Sequence, residues 1–80
     1  MFIVYVLKSL KNSKRYISYT SKSIEERLKE HNSGCNKWTR ENGPFEIFYT
    51  EEFTDKTNAI KRELFLKSGQ GRKFLDSLRV

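Results

Sequence analysis

The amino-acid sequence predicts a small α/β domain of the α+β type, in which helices pack against one sheet. Two runs of β-branched and aromatic residues, joined by a polar turn, open the chain as a hairpin does. Two later segments carry apolar residues at helical spacing. The length of 80 residues, with 36% hydrophobic and 14% aromatic residues, suits one compact core. We therefore expect a single domain over residues 1–80.

The first two strands are predicted from the types of their side chains. Residues Phe2–Leu7 and Arg15–Thr20 are rich in β-branched and aromatic residues, which favour extended backbone. The segment Lys11–Lys14 between them is polar and suits a turn. The opening of the chain is therefore predicted to be a β-hairpin.

The register of this hairpin decides which side chains share a face. If residues 12–13 form a two-residue turn, Tyr5 lies opposite Thr20. Because side chains alternate between faces, Tyr5, Tyr16 and Ser18 then lie on the same face of the sheet. Two tyrosines placed in this way usually form a core or cross-strand pair.

A helix is predicted directly after the hairpin. Ser23 and Glu26 have the spacing of a capping box, in which each side chain bonds the other residue's backbone amide. Leu28 and His31 follow at helical spacing, and Gly34 is a natural C-terminal stop.

The rest of the chain is predicted as a loop, a strand and two helices. Residues 35–44 form a polar, basic loop, and Phe45–Thr50 forms the third strand. A second helix begins near Thr54 or Asp55, runs to about Ser68 and ends at Gly69, and a third spans Gly71–Val80. The residues expected to face the core from these two helices are Ala59, Ile60, Leu64, Phe74, Leu75 and Leu78. The order β-β-α-β-α-α implies a small antiparallel or mixed sheet.

The charge of the chain favours a polyanionic partner. Sixteen Lys and Arg against ten Asp and Glu give a net charge of +6. Nucleic acid is the first candidate and an anionic membrane the second, while simple solubility stays open as an interpretation. The single cysteine fits a reducing compartment, and the apolar stretch Phe2–Leu7 is far shorter than the roughly 20 residues that span a bilayer. We expect a cytoplasmic protein that does not bind membranes.

Three side chains stand at positions that a purely structural role does not fully explain. Arg27 and His31 are neighbours on one helix face. Arg27 lies at a solvated edge, covers the core with its aliphatic stem, or clamps a phosphate beside the imidazole. Glu63 borders the apolar stripe of the second helix, where a carboxylate is disfavoured unless it is paired or binds a metal. Lys67, four residues later, is the alternative partner. Spacing alone leaves both choices open.

Three other chemistries have little support in the sequence. His31 and Cys35 are the only soft ligands, fewer than the four that a structural zinc site uses. The segment 69–71 lacks the full spacing of a phosphate-binding loop and its Lys-Ser ending. Cys35 has no visible partner for nucleophilic catalysis.

The ordered set of short motifs resembles the GIY-YIG nuclease superfamily, and its small stand-alone bacterial members in particular. The paired tripeptides are Ile3-Val4-Tyr5 and Tyr16-Ile17-Ser18. The resemblance continues through the run at 27–31, Lys61-Arg62-Glu63 and Gly71-Arg72, and covers nearly the whole chain. It implies a three-stranded antiparallel sheet flanked by helices and a metal-dependent phosphodiesterase site.

The resemblance also implies roles for five residues. Tyr5 matches the first-motif tyrosine, a general base or water-orienting group, and Tyr16 matches the second, which positions water and phosphate. Arg27 matches the arginine that stabilises the scissile phosphate. Glu63 matches the glutamate that holds one metal ion. One carboxylate together with phosphate and water oxygens suits Mg²⁺ or Mn²⁺. His31 is implied as an accessory site residue.

The expected activity is endonucleolytic cleavage of DNA, and RNA stays open as a substrate. We expect a monomer, and the sequence does not identify a targeting partner. Ser18 departs from the family pattern, because the second motif ends in Gly there. This departure motivates the alternative of a nucleic-acid-binding module that cuts little or not at all, and a protein-interaction domain is the third possibility. The residues expected to contact nucleic acid are Lys8, Lys14, Arg15, Lys37, Trp38, Arg40, Lys61, Arg62, Arg72 and Lys73.

Overall fold

A three-stranded antiparallel sheet forms the centre of the protein. In the computed structural model, which describes residues 1–34 and 36–78, the strands are β1 (Phe2–Ser9), β2 (Arg15–Thr20) and β3 (Phe45–Phe53). Their order across the sheet is β2-β1-β3, and both pairings are antiparallel. The predicted antiparallel sheet is therefore confirmed, and β2 and β3 are its edges.

Four helices cover the two faces of this sheet. They are α1 (Ile24–Asn32), α2 (Lys37–Asn42), α3 (Lys56–Lys67) and α4 (Gly69–Ser77). The α+β class and the predicted order are confirmed, with α2 as an addition. No helix in the described ranges is long and apolar enough to cross a membrane. Cys35 and the predicted end of the last helix at Val80 lie outside the described residues.

The prediction of a loop at residues 37–42 was wrong, because this segment is the helix α2. Asn36 is its N-cap: the Asn36 side chain accepts from Thr39 N at 2.9 Å, and the Thr39 hydroxyl accepts from Asn36 N at 3.1 Å. This is a capping box with Thr in place of the usual Glu or Gln. Its sequence signature is weak for that reason, and the polar composition of the segment concealed the helix.

The predicted hairpin register was wrong by two residues. Strand β1 continues to Ser9, so the connection spans residues 10–14 rather than two residues. The Ser9 hydroxyl oxygen accepts from Lys11 N and Asn12 N at 3.0 and 3.2 Å, which stabilises this longer turn. Tyr5 lies opposite Ser18 instead of Thr20. A shift of two preserves the alternation of faces, so the predicted common face of the two tyrosines and Ser18 is retained.

Two apolar clusters lie on opposite faces of the sheet. Helices α3 and α4 pack on the face of Val4 and Val6, and helices α1 and α2 pack on the face of Tyr5 and Leu7. Most predicted core positions agree with this arrangement, but Leu64 is 60% exposed. The core position of α3 belongs to Leu66, together with Ala59. Leu78 is also exposed, so only the preceding part of α4 faces inward.

The junction between α3 and α4 is tighter than the sequence predicts. Ser68 is the C-cap of α3 and also the N-cap of α4, so α4 begins at Gly69, two residues before the predicted start. Gly71, in the first turn of α4, is buried against the last turn of α3. A Cβ at Gly71 would approach the Phe65 carbonyl oxygen and the Leu66 backbone closer than 3.0 Å.

Gly71→Ala is expected to destabilise the protein by about 2 kcal/mol, because backbone atoms cannot move aside as a flexible side chain does. Gly69→Ala is the matched control, since no atom lies within 4 Å of a Cβ at Gly69. This control should be neutral or stabilising by up to about 1 kcal/mol, as expected when Ala replaces Gly in a helix. Urea unfolding of both variants measures the difference, and equal stabilities would contradict the close packing at Gly71.

Candidate active site

Three of the predicted site residues meet in a triangle of polar contacts between β1 and α1. The Tyr5 hydroxyl lies 3.0 Å from His31 Nε2. Arg27 Nη2 lies 3.3 Å from the same hydroxyl and 3.2 Å from His31 Nε2. Helix α1 brings Arg27 and His31 to one face because they are four residues apart. The structure therefore brings this pair together with Tyr5, and the phosphate-clamp interpretation stays a prediction.

The chemistry of the three groups restricts how the triangle is protonated. A guanidinium only donates hydrogen bonds, so the Tyr5 oxygen accepts from Arg27. The Tyr5 hydroxyl then donates to Nε2 of a neutral His31. Burial lowers the pKa of His31, and the positive charge of Arg27 lowers it further, while Glu30 acts in the opposite direction. Both the geometry and the pKa thus favour a neutral imidazole.

Access to this triangle is uneven. Tyr5 and His31 are fully buried, whereas the Arg27 side chain is 22% exposed. Arg27 is therefore the member of the triangle that a ligand meets first.

A carboxylate fixes the outer side of Arg27. Glu30 Oε2 lies 3.0 Å from Arg27 Nη1, and Glu30 Oε1 lies 3.1 Å from Lys22 Nζ. The hydrogen bond from Lys22, with the charges of both cations, lowers the pKa of Glu30 despite an opposing effect of desolvation. One carboxylate thus holds Arg27 and Lys22 side by side, and this arrangement was not predicted from the sequence.

Aromatic rings connect the triangle to the protein surface. The Tyr16 ring lies 4.6 Å from the His31 ring and 5.4 Å from the Trp38 ring, measured between centroids. Trp38 stacks on Phe45 at 5.6 Å with an interplanar angle of 17°. Trp38 therefore packs against the core residue Phe45. Tyr16, a residue of β2, lies between the buried triangle and Trp38.

The stability of the protein should fall as the pH drops below about 6.5, the ordinary pKa of histidine. The folded chain has a lowered His31 pKa and resists protonation, whereas the unfolded chain takes up the proton. The contribution of His31 is therefore complete above pH 6.5 and is lost as the pH falls toward the folded pKa. Urea unfolding at pH 7.5 and 5.5 measures this change.

His31→Gln is the control for that measurement, because His31 is the only histidine in the chain. The variant should lose the part of the pH dependence that lies between 7.5 and 5.5. An identical loss of stability in both proteins would mean that other groups cause it.

A cleft of 710 Å³ opens beside the edge strand β2, and we call it the β2 cleft. It lies where β2 faces α2 on one side and the α3–α4 junction on the other. Four of its residues are cations and two are aromatic; its lining consists of Lys8, Ser13, Arg15, Tyr16, Ile17, Trp38, Leu66, Lys67 and Arg72. The β2 cleft therefore combines positive charge with ring faces, which is the combination that binds exposed nucleic-acid strands.

Glu63 lies near this cleft rather than within the triangle. Its side chain is 13% exposed, and Glu63 Oε1 lies 3.7 Å from Nζ of Lys67, which lines the β2 cleft. The structure thus contains the ion pair that was the alternative to a metal role. Within residues 1–34 and 36–78, no group of three or more His, Cys, Asp or Glu side chains is placed to hold a metal ion.

The residues expected to contact nucleic acid fall into two groups. Those that line the β2 cleft are Lys8, Arg15, Trp38 and Arg72. Those that lie elsewhere are Lys14, Lys37, Arg40, Lys61, Arg62 and Lys73. Arg15 also lies 2.6 Å from Asp76, and Lys37 pairs loosely with Glu41 at 3.9 Å.

Arg62 has a structural environment of its own on the α3–α4 side of the sheet. Arg62 Nε lies 3.1 Å from Glu51 Oε2, which also accepts from the Tyr49 hydroxyl. The guanidinium lies over the Phe65 and Phe74 rings at 4.7 and 5.1 Å. These contacts explain the residue without a ligand, and its contact with nucleic acid stays a prediction.

The match to a family model gives the class of this domain. The chain matches the model of the GIY-YIG catalytic domain over residues 1–74. It belongs to the GIY-YIG family, whose nucleases act on nucleic acid and generally depend on a divalent metal ion.

Small bacterial proteins are similar to this chain over most of its length. The UPF0213 protein of Clostridium perfringens is 41% identical over 68 residues, which cover 84% of this chain and 71% of the relative. The UPF0213 protein of Staphylococcus saprophyticus is 36% identical over 73 residues, which cover 90% of this chain and 87% of the relative. The solution structure of a UPF0213 protein from Bacillus halodurans has 35% identity and a TM-score of 0.58, covering 99% of this chain and 86% of that one.

Proposed function

We propose that this protein is a divalent-metal-dependent endonuclease that hydrolyses phosphodiester bonds in DNA, acting as a single domain over residues 1–80. The observation that carries the proposal is the contact of Arg27 with both Tyr5 and His31. Tyr16, whose ring lies 4.6 Å from the His31 ring, links this triangle to the cationic β2 cleft. A guanidinium that is partly exposed beside such a cluster can stabilise the negative charge that develops on a phosphodiester during cleavage.

The triangle supplies a path for the proton of the attacking water. Tyr5 donates its hydroxyl proton to His31 Nε2 and takes a proton from the water that attacks phosphorus. Arg27, the partly exposed member, donates hydrogen bonds to the phosphate oxygens. Tyr16 extends from the same cluster into the β2 cleft and positions the phosphate and the water.

The surroundings of Glu63 suit one hydrated cation held by a single carboxylate. The side chain is partly accessible, and its partner Lys67 is a half-exposed residue at 3.7 Å. Mg²⁺ keeps several waters and takes few protein ligands, so a cage of several carboxylates is unnecessary. We assign Glu63 as the holder of Mg²⁺ or Mn²⁺, which when bound stabilises charge on the phosphate oxygens.

Incubation with supercoiled plasmid, branched DNA, single-stranded DNA and RNA, in Mg²⁺, Mn²⁺ or EDTA, tests this proposal. We expect metal-dependent conversion of the supercoiled plasmid to the nicked form and none in EDTA. Cleavage of RNA alone would correct the substrate. If no substrate is cut while binding is retained, the catalytic proposal fails.

A second function, a nucleic-acid-binding module with little or no cleavage, is favoured by Ser18. The family motif has Gly at this position, and Ser18 lies directly opposite Tyr5 in the β1–β2 register. Its hydroxymethyl group takes up space on the face that carries both site tyrosines. If the wild-type protein binds DNA without cutting it, Ser18→Gly should restore metal-dependent nicking, and failure to do so would remove Ser18 as the cause.

A further inference from the structure

A second pocket lies at the opposite end of β2 from the β2 cleft, and we call it the Lys56 pocket. Its volume is 460 Å³, and its lining includes three cations and the hydroxyl groups of three Ser and Thr residues. The cations come from three separate segments: the β2–α1 turn, α1 and α3. The residues concerned are Lys22, Arg27, Lys56, Ser18, Thr20 and Ser21.

We propose that the Lys56 pocket binds a second, non-scissile phosphate of the same nucleic-acid strand, through Lys22 and Lys56. This inference rests on the proposed function, because Arg27 borders the pocket and places it next to the site of cleavage. Neither Lys22 nor Lys56 was among the residues expected from the sequence to contact nucleic acid.

The charges of the pocket are arranged in advance for an anion. Glu30 holds Arg27 and Lys22 side by side through its two oxygens, at 3.0 and 3.1 Å. Glu30 therefore pairs with two of the three cations of the pocket, and a positive excess remains. Hydroxyl groups at the mouth add neutral donors that bind phosphate oxygens.

Lys56 occupies a position that helix stability does not explain. It is the first residue of α3, whose first turn contains no acidic residue, and it is exposed. A cation near a helix N-terminus opposes the helix dipole. A role in ligand binding gives a reason for this residue at this position.

The two basic sites are spaced along α3 at a distance that one strand can bridge. Lys56 lines the Lys56 pocket, Lys67 lines the β2 cleft, and Glu63 lies between them on the same helix. A rise of about 1.5 Å per residue separates the two lysines by about 16 Å along the axis. This corresponds to about five nucleotides of a B-form strand at 3.4 Å each. The strand would then run along the edge of β2, with its scissile phosphate between the two sites.

Binding measured in EDTA tests this inference separately from cleavage. The probe is a fluorescein-labelled DNA duplex with a single-stranded tail, followed by fluorescence anisotropy at several KCl concentrations. The variants are Lys56→Ala and Lys22→Ala, with Lys56→Arg as the conservative variant. Lys29→Ala is the matched control, because Lys29 is an exposed lysine of α1 that lines neither pocket.

The binding constant falls as the salt concentration rises, so a plot of its logarithm against log salt has a negative slope. Each alanine variant at the pocket should make this slope less steep by about 0.7–0.9, the value of one lost phosphate contact. At 0.1 M salt this corresponds to binding about five- to eightfold weaker. Lys56→Arg should bind as the wild type does, and so should Lys29→Ala.

The inference would be overturned if Lys56→Ala and Lys22→Ala had the same slope as Lys29→Ala. It would also be overturned if the wild-type protein did not bind the probe. If the slopes change while wild type cuts nothing, the phosphate site stands and the nuclease proposal fails. If wild type cuts and the slopes are unchanged, only the second phosphate site fails.

Discussion

Glu63→Ala should abolish metal-dependent cleavage, with a loss of about 10³-fold or roughly 4 kcal/mol of transition-state stabilisation. Glu63 is the partly shielded carboxylate of α3 that pairs with Lys67, a residue of the β2 cleft. We assign it as the only protein ligand of the cation. Without it the ion has no fixed position relative to the phosphate. The measurement is the initial rate of plasmid nicking at saturating Mg²⁺.

The same variant should keep its fold and its affinity for DNA. The ion pair that it loses, 3.7 Å from a half-exposed lysine, is worth only a few tenths of a kcal/mol. Removing a negative charge beside a cationic cleft leaves binding in EDTA equal or tighter. Full nicking activity in Glu63→Ala would exclude this residue as the metal holder.

Glu52→Ala is the matched control for the loss of a carboxylate. Glu52 is exposed on the edge strand β3, on the other side of β1 from β2. It should cut as fast as the wild type. A comparable loss in both variants would indicate an effect of net charge rather than of metal binding.

The fold was largely predictable because its elements follow local rules. The cap at Ser23, which accepts from Glu26 N at 3.2 Å, marked the start of α1. The β-branched and aromatic runs marked the strands. The failures occurred where a signal is tertiary or atypical. The Thr39 capping box of α2 lacks the usual acid, and the longer hairpin turn depends on the Ser9 hydroxyl.

The candidate site was predictable in part for a similar reason. The i, i+4 spacing placed Arg27 beside His31, and the alternation of side chains placed Tyr5 and Tyr16 on one face. The contact of Tyr5 with both helix residues needs the packing angle of α1 on the sheet, which local patterns do not encode. The Lys56 pocket was missed because Lys56 is distant in sequence from Lys22 and Arg27 and joins them only in the folded chain.

Tyr5→Phe should lower the cleavage rate by about 10²–10³-fold, because the variant keeps the ring and removes only the hydroxyl that joins Arg27 to His31. The free energy of unfolding should fall by about 1–2 kcal/mol, since the buried His31 Nε2 loses a donor. The rates are measured across pH at saturating metal. The wild-type rate should fall as the pH drops through the lowered His31 pKa, because protonated His31 cannot accept the Tyr5 proton.

Tyr49→Phe separates this chemical role from the simple loss of a hydrogen-bonded phenolic hydroxyl. The Tyr49 hydroxyl donates to Glu51 at 2.5 Å, and its ring packs with the α3–α4 cluster, away from the triangle. The control should therefore lose a similar amount of stability and keep the wild-type rate and its pH dependence. If Tyr5→Phe retained the wild-type pH–rate profile, Tyr5 would act by holding Arg27 in place rather than by transferring a proton. In that case Arg27→Lys, which keeps the charge but not the planar guanidinium, would reproduce the loss of rate without changing the profile.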